Sequence, residues 1–165
     1  MDFNFTAEER AFRDRVREFI AENPKELFSL DGEDMGYGLG AWSRQFNRKL
    51  GEKGWISLTW PSAYGGQAQP MMFKLILWEE CAYHQTPFYG STMAESMAHV
   101  IIEMGTAELK KEVLPGIARG EIAFWLGFSE PEAGSDLLGL ETRAVEDGDD
   151  YVLNGQKVWS SNAHL

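Results

Sequence analysis

The first 120 residues carry apolar side chains at helical spacing. Four of them share one face of the first segment: Phe12, Val16, Phe19 and Ile20. Thr6, followed three residues later by Glu9, has the pattern of a capping box, so the helix is predicted to begin after Thr6. Asn23-Pro24 is predicted to end it, because proline cannot continue a helix. The segment is therefore predicted to be an amphipathic helix.

Further helices follow the same spacing. A second helix is predicted over residues 41–51, and two more contain Met72 to Tyr83 and Met93 to Met104. The methionines of the last of these are predicted to fill the core. Thr106 is predicted to cap a short helix over 107–113, with another helical turn from Leu114-Pro115 to Gly120.

Between the helices lie two irregular stretches. Residues 24–40 contain several glycines and are predicted to form a surface loop. Residues 54–66 alternate aromatic side chains with turn residues, which predicts a loop packed onto the core.

From residue 121 the pattern changes to alternation, which is typical of strands. Strands are predicted at 122–128, 140–146, 150–153 and 157–162, with Asp147-Gly148 forming the hairpin turn between the middle two. The predicted fold class is α+β: an all-α helical domain over residues 1–120, followed by a partial β-domain over 121–165.

Charge and composition exclude several classes of function. The chain of 165 residues has a net charge of −11, which argues against binding to nucleic acid because no basic stripe is present. No apolar stretch reaches the length of a membrane span. Cys81, the only cysteine, excludes an internal disulfide, favours a reducing cytoplasm and is predicted to be a small buried side chain. The three histidines have no ligand spacing, so no metal site is predicted.

Two short motifs carry the candidate chemistry. The first, Ser129–Asp136, reads Ser-Glu-Pro-Glu-Ala-Gly-Ser-Asp, and the second, Asn154–Asn162, reads Asn-Gly-Gln-Lys-Val-Trp-Ser-Ser-Asn. A glycine-serine turn can direct N–H groups and a hydroxyl at an anionic oxygen such as a phosphate. A plain structural turn is the alternative for the first motif when it is taken by itself.

In this order and at this separation, the two motifs resemble those of the acyl-CoA dehydrogenase family. The resemblance extends upstream, where Gly-Trp and Pro-Ser-Ala-Tyr-Gly-Gly in 54–66 are similar to a loop of the family. It implies a helical domain followed by the first strands of a β-barrel-like middle domain, with the C-terminal four-helix domain absent. It also implies FAD as the cofactor.

The resemblance implies roles for individual residues. Leu126, Phe128 and Ser129 would bind the pyrimidine side of the flavin, and Gly134 and Ser135 the pyrophosphate. Trp159 would lie along the isoalloxazine ring, and Ser161 would donate its hydroxyl to flavin N5. Ser135 would also touch the substrate. For each serine, an exposed hydroxyl without a ligand is the alternative.

A second group of side chains would contact the acyl tail of the substrate, although core packing is an alternative: Tyr89, Thr92 and Ser96. The sequence departs from the family at several positions. Serine stands at 129 and 161, where threonine is common, Leu126 replaces a frequent tyrosine, and Ser160 takes an aliphatic position.

The implied activity is α,β-dehydrogenation of an acyl-CoA thioester. The implied catalytic glutamate would lie in the absent C-terminal domain, so no catalytic residue is predicted in this chain, and Glu130 is interpreted as shaping its turn. Implied partners are acyl-CoA, an electron-transfer flavoprotein, and further subunits of a homo- or hetero-oligomer, a tetramer in the family. The alternatives are a non-catalytic binding or interaction fragment, and an acyl-CoA oxidase or flavin monooxygenase of the same fold.

Overall fold

The computed structural model describes residues 4–24, 41–86 and 89–160. Residues 25–40, which make up nearly all of the loop predicted over 24–40, lie outside these ranges, as does the predicted flavin contact Ser161. The chain divides into two compact units, Met1–Phe124 and Trp125–Leu165. The first unit is helical and the second contains a two-stranded antiparallel sheet, which confirms the predicted fold class.

Five α-helices build the described part of the first unit: α1 (Ala7–Glu22), α2 (Ala41–Glu52), α3 (Met71–Tyr83), α4 (Tyr89–Met104) and α5 (Ala107–Ala118). A short 3-10 helix, Ser62–Tyr64, lies between α2 and α3. Within the described ranges, no helix has the length and apolar character needed to cross a membrane.

The capping box at the start of α1 is confirmed. The N–H of Glu9 donates to the Thr6 hydroxyl (3.2 Å), and the N–H of Thr6 donates to the Glu9 carboxylate (2.7 Å). The four apolar residues predicted to share a face are all buried. The local pattern therefore fixes both where α1 begins and which side of it enters the core.

Aromatic rings form the centre of the helical unit. The Trp55 ring lies 5.4 Å from that of Phe12 and 5.2 Å from that of Phe19, in edge-to-face arrangements. Phe19 also meets Phe46 of α2 at 5.5 Å. Trp55 and Trp60 of the irregular 54–66 segment are buried, which confirms that this loop packs onto the core. Such ring pairs add about 0.5–1.5 kcal/mol each beyond the area that they bury.

Glu80 of α3 is a buried carboxylate that two arginines of α1 compensate. Arg17 donates to it through Nε (2.9 Å) and Nη2 (3.0 Å), and Arg13 donates through Nε. Burial would raise the Glu80 pKa, but these hydrogen bonds and charges hold it below its ordinary value. The network therefore joins α1 to α3 through an ionised group inside the unit.

A second buried pair joins α3 to α4. The side chains of Lys74 and Glu95 are 2% and 6% exposed, and Lys74 Nζ lies 2.5 Å from a Glu95 carboxylate oxygen. Lys74 also donates to the carbonyls of Trp55 (3.2 Å) and Ile56 (3.1 Å). Burial lowers the pKa of Lys74 and raises that of Glu95, because desolvation opposes both charges.

Cys81 confirms the prediction of a small buried side chain. The thiol is fully enclosed, and burial raises its pKa to about 11. A thiol held in this way is mostly protonated at neutral pH, and only the thiolate is a nucleophile.

The methionine face predicted for α4 is only partly right: Met93 and Met97 are half-buried, but Met104 is 83% exposed. Among the α4 side chains that the structure describes, the fully buried ones are Ala94, Glu95, Ala98 and Ile102. Small alanines let neighbouring helices approach closely, and Glu95 is buried because Lys74 compensates its charge. The spacing of large apolar side chains in the sequence indicates neither the close approach at the alanines nor the burial of Glu95.

The predicted break at Leu114-Pro115 is also wrong. Thr106 caps α5 as predicted, by accepting from the N–H of Leu109 (3.2 Å). The helix then continues through Pro115 to Ala118 as one element. Proline removes only one hydrogen bond from the ladder, and the buried side chains of Leu114 and Ile117 hold this turn against the core.

In the second unit, β1 (Arg143–Asp147) pairs antiparallel with β2 (Asp150–Asn154). Asp147 opposes Asp150, so the turn is Gly148-Asp149, one residue later than the predicted Asp147-Gly148. Gly148 has the positive φ of +66° that this tight connection needs. Strands predicted at 122–128 and 157–162 are wrong for the described residues, which stop at 160. One main-chain hydrogen bond, from Val158 N–H to the Ser129 carbonyl (2.9 Å), joins the two segments. A single bond does not make a ladder.

We expect Lys74→Met to destabilise the helical unit by about 3–5 kcal/mol, because it leaves the Glu95 carboxylate buried without its cation. The double variant Lys74→Met/Glu95→Met should recover much of that loss, since neither charge remains. Urea unfolding followed by tryptophan fluorescence measures both. Lys53→Met, at an exposed lysine, is the control and should change little. A double variant no more stable than Lys74→Met would contradict this assignment.

Candidate functional site

The second unit brings parts of the two sequence motifs side by side. Besides the bond between Val158 and Ser129, the Lys157 ammonium donates to the Phe128 carbonyl (3.1 Å). A side chain added at Gly127 would meet Lys157 Cγ at 3.4 Å. Segments that are almost thirty residues apart in sequence are therefore adjacent, as a shared binding site requires.

The Glu130 carboxylate is the centre of this arrangement. One of its oxygens accepts from the N–H of Glu141 (2.7 Å). The other accepts from the N–H of Thr142 (3.0 Å) and from Lys157 Nζ (2.8 Å). A single buried side chain thus ties the first motif to the segment entering β1 and to the second motif.

These donors also fix the charge of Glu130. The hydrogen bond from Lys157, and then those from Thr142 and the Glu141 main chain, lower the Glu130 pKa to about 2. Three donors around one carboxylate favour its ionised form. Glu130 is therefore an anion throughout the neutral range, and its structural role in shaping the motif is confirmed.

The glycine-serine turn of the first motif begins at Glu130. The N–H of Glu130 donates to the Ala133 carbonyl (2.8 Å), and the N–H of Ala133 donates back to the Glu130 carbonyl (3.2 Å). Gly134 and Ser135 follow and are exposed. A Cβ placed on Gly134 would meet no atom within 4 Å, so the main chain here is open to a ligand.

Large apolar side chains are exposed around the joined motifs. Trp159 is 88% exposed and has a φ of +59°, a left-handed conformation that is rare for a bulky residue. Phe128 is 58% exposed, whereas Leu126 and Ser129 are half-buried. Strained residues of this kind cluster at ligand sites, and exposed rings offer a surface on which a planar group can stack.

The residues predicted to contact the acyl tail belong to α4 in the first unit. Ser96 is exposed. Tyr89 and Thr92 are helical, but their side chains lie outside the described set. The role of these three residues in substrate binding stays a prediction, as do the roles of the predicted flavin contacts.

The sequence analysis missed Lys157 as a site residue. It is the only charged side chain in the second motif, and its ammonium contacts both the Phe128 carbonyl and Glu130. A lysine in a segment of alternating polarity usually indicates the solvent-exposed face of a strand. The signal that could have identified it was the pair of opposite charges: Glu130 in the first motif and Lys157 in the second.

Comparison with known proteins places both units. The family model described as acyl-CoA dehydrogenase, N-terminal domain, matches residues 6–121, and that described as acyl-CoA dehydrogenase, middle domain, matches residues 126–165. Acyl-CoA dehydrogenase FadE26 of Mycobacterium tuberculosis is 41% identical over 166 residues, which cover 98% of this chain and 40% of that protein. The chain thus spans about two fifths of the length of the curated relatives that it matches.

Solved structures agree in fold. The crystal structure of the ChsE4-ChsE5 complex from Mycobacterium tuberculosis has a TM-score of 0.81 at 36% identity, covering 99% of this chain and 41% of that one. The structure called Tcur3481-Tcur3483 steroid ACAD also has a TM-score of 0.81, at 34% identity, with 98% and 41% covered.

We expect the amide protons of Glu141 and Thr142 to report the Glu130 charge. Their NMR shifts should titrate with a midpoint near pH 2, the depressed pKa of the carboxylate that accepts from them. The stabilisation from these bonds should be complete above the unfolded pKa of about 4.3 and be lost as the pH falls towards 2.

Glu130→Gln should remove both the titration and this acid-dependent loss of stability, because the glutamine amide does not ionise. Glu132→Gln, at an exposed neighbour, is the matched control and should leave the titration in place. A midpoint near pH 4.3 in the unchanged chain would show that the donors do not hold the carboxylate.

Proposed function

Because the chain belongs to the acyl-CoA dehydrogenase family, we propose that it forms the amino-terminal part of an FAD-dependent enzyme that oxidises an acyl-CoA thioester between its α- and β-carbons. The observation that carries this proposal is the Glu130–Lys157 contact. It holds the two motifs together and leaves open main chain and exposed rings beside them. The matched part is 40% of FadE26, so the proposal concerns an activity completed by further polypeptide.

The second unit fits the chemistry of a flavin. Protein donors already occupy the carbonyls of Phe128 and Ser129, so this segment offers N–H groups and the Ser129 hydroxyl to a ligand. Such donors suit the pyrimidine edge of a flavin, which is rich in acceptor atoms. FAD would supply the hydride acceptor, and the protein residues would bind and orient it.

The remaining predicted contacts follow the same division of labour. We assign the exposed Trp159 ring to packing along the flavin and the open turn at Gly134 and Ser135 to the pyrophosphate, with Ser135 also near the substrate. Leu126 and Phe128 would line the pyrimidine side. Ser161 would bond flavin N5.

The Glu130 carboxylate at the centre of the site does not suit proton abstraction. An ideal general base has a pKa near the working pH, whereas that of Glu130 is about 2 and its oxygens are taken by three donors. We therefore propose that the catalytic base comes from polypeptide outside these 165 residues, as the family resemblance implies.

The relatives suggest a substrate class and a kind of assembly. One similar structure is called a steroid ACAD and another is a complex of two different chains. We propose a bulky, steroid-linked acyl-CoA as substrate, contacted by Tyr89, Thr92 and Ser96, and a hetero-oligomer as the working form. An electron-transfer flavoprotein as electron acceptor and a cytoplasmic location complete the proposal.

The test is flavin binding by reconstitution. We expect the chain by itself to bind FAD weakly, and to bind it stoichiometrically when co-expressed with the part of FadE26 that lies beyond the matched region. Flavin absorbance of the purified complex measures this. Tight stoichiometric FAD in the chain by itself would contradict a half-built site, and no FAD in either preparation would contradict the proposed function.

In the reconstituted complex, Lys157→Met should weaken FAD binding about tenfold, because Glu130 would lose its cation and the contact that holds the two motifs together would be broken. Arg143→Met removes an exposed cation of the same unit and is the control. Equal effects of the two substitutions would show that net charge, and not the Glu130–Lys157 contact, governs binding.

A further inference from the structure

A groove of about 550 Å³ lies in the helical unit between the Ser62–Tyr64 turn and α5. Its floor is apolar and includes Tyr64, Leu114, Pro115 and Ala118, and its charged side chains are Lys110, Lys111 and Arg119. No acidic side chain is among the described residues that line it. The groove takes no part in the flavin site proposed above.

The cations make this groove a positive spot on an acidic protein. Three of the fifteen Lys and Arg residues line it, in a chain of net charge −11. The Lys110 ammonium lies 5.6 Å from the centre of the Tyr64 ring, a cation–π contact that holds it over the floor. Arg119 pairs with Glu121 (2.8 Å), whereas Lys111 has no ion pair within the described ranges.

The main chain of the groove is also open to a partner. Pro115 has no N–H, so it cannot donate to the carbonyl of Lys111 one turn earlier, and that acceptor lacks its usual helical donor. Across the groove, Gly65 has a φ of +79°, and no atom lies within 4 Å of a Cβ built there. The groove thus offers cations, an apolar floor and room for a backbone.

The chain itself contains a segment of complementary chemistry. Four carboxylates occupy the tip of the β1–β2 hairpin within five residues: Glu146, Asp147, Asp149 and Asp150. All are exposed. Behind them, Tyr151 and Val145 are 64% and 55% exposed. The tip therefore combines a dense negative charge with apolar side chains that have no cover in the described residues.

We propose that the groove at α5 binds the acidic hairpin tip of a second copy of this chain. The hairpin carboxylates pair with Lys110 and Lys111, and the apolar residues behind the tip cover the floor around Tyr64 and Leu114. The contact is small, so the association is weak and transient. Because its ion pairs lie at the surface, salt weakens it by screening.

Sedimentation equilibrium of the purified chain tests this directly. We expect the average mass to rise above that of the monomer at low ionic strength and to return to it in about 0.5 M salt. Self-association through exposed apolar surface would show the opposite dependence, because salts that favour burial strengthen it. A monomer at every concentration, or association that salt strengthens, would overturn the proposal.

Charge-swapped variants identify the two surfaces. Two variants should each weaken self-association at least tenfold: Lys110→Glu/Lys111→Glu and Asp149→Lys/Asp150→Lys. An equimolar mixture of the two should associate again, because the acidic groove of the first variant then binds the basic hairpin tip of the second. Arg44→Glu/Lys53→Glu changes the net charge as much as the first variant, at exposed residues outside the groove, and should have a smaller effect. Equal weakening by this control, or a mixture that stays monomeric, would overturn the assignment.

Discussion

The ionised carboxylate of Glu130 is the constraint on which the second unit depends. It accepts hydrogen bonds from two main-chain amides near the start of β1 and from the Lys157 ammonium. The two-stranded hairpin by itself is short, and all of its residues are exposed, so burial contributes little to its position. The organisation of the candidate site therefore depends on a polar contact between distant segments. This explains how an open surface keeps a defined shape without a large apolar core.

The helical unit solves the reverse problem, because charges lie inside a core that is already well packed. Glu80 is surrounded by arginines of α1, and Lys74 faces Glu95 and two carbonyls. The first pair joins α1 to α3, and the second joins α3 to α4. Burying charge in this way adds little net stability compared with apolar packing, but breaking a pair is costly. The pairs accordingly restrict how α1, α3 and α4 can be arranged more than they strengthen the unit.

The sequence was most informative where structure is decided locally. The Thr6 capping box and the buried face of α1 depend on residues close together in the chain, and both were predicted. The hairpin at Gly148 was also predicted, with its turn placed one residue too early. The strands at 122–128 and 157–162 were wrong, and the methionine face of α4 was only partly right, since ladder formation and the burial of Glu95 depend on distant partners. The motifs identified the candidate site, but not the contacts that Lys157 makes in it. In an alternating segment, a charged residue is usually assigned to the solvent-exposed face of a strand.

The enclosure of Cys81 has a practical consequence. It is the only thiol in the chain, it lies on α3 beside Glu80, and burial raises its pKa to about 11. An alkylating reagent can reach it only when the helical unit opens, since both access and ionisation are blocked in the folded state. The rate of covalent labelling of Cys81 consequently reports how often the helical unit opens. Opening that is confined to the second unit does not change this rate.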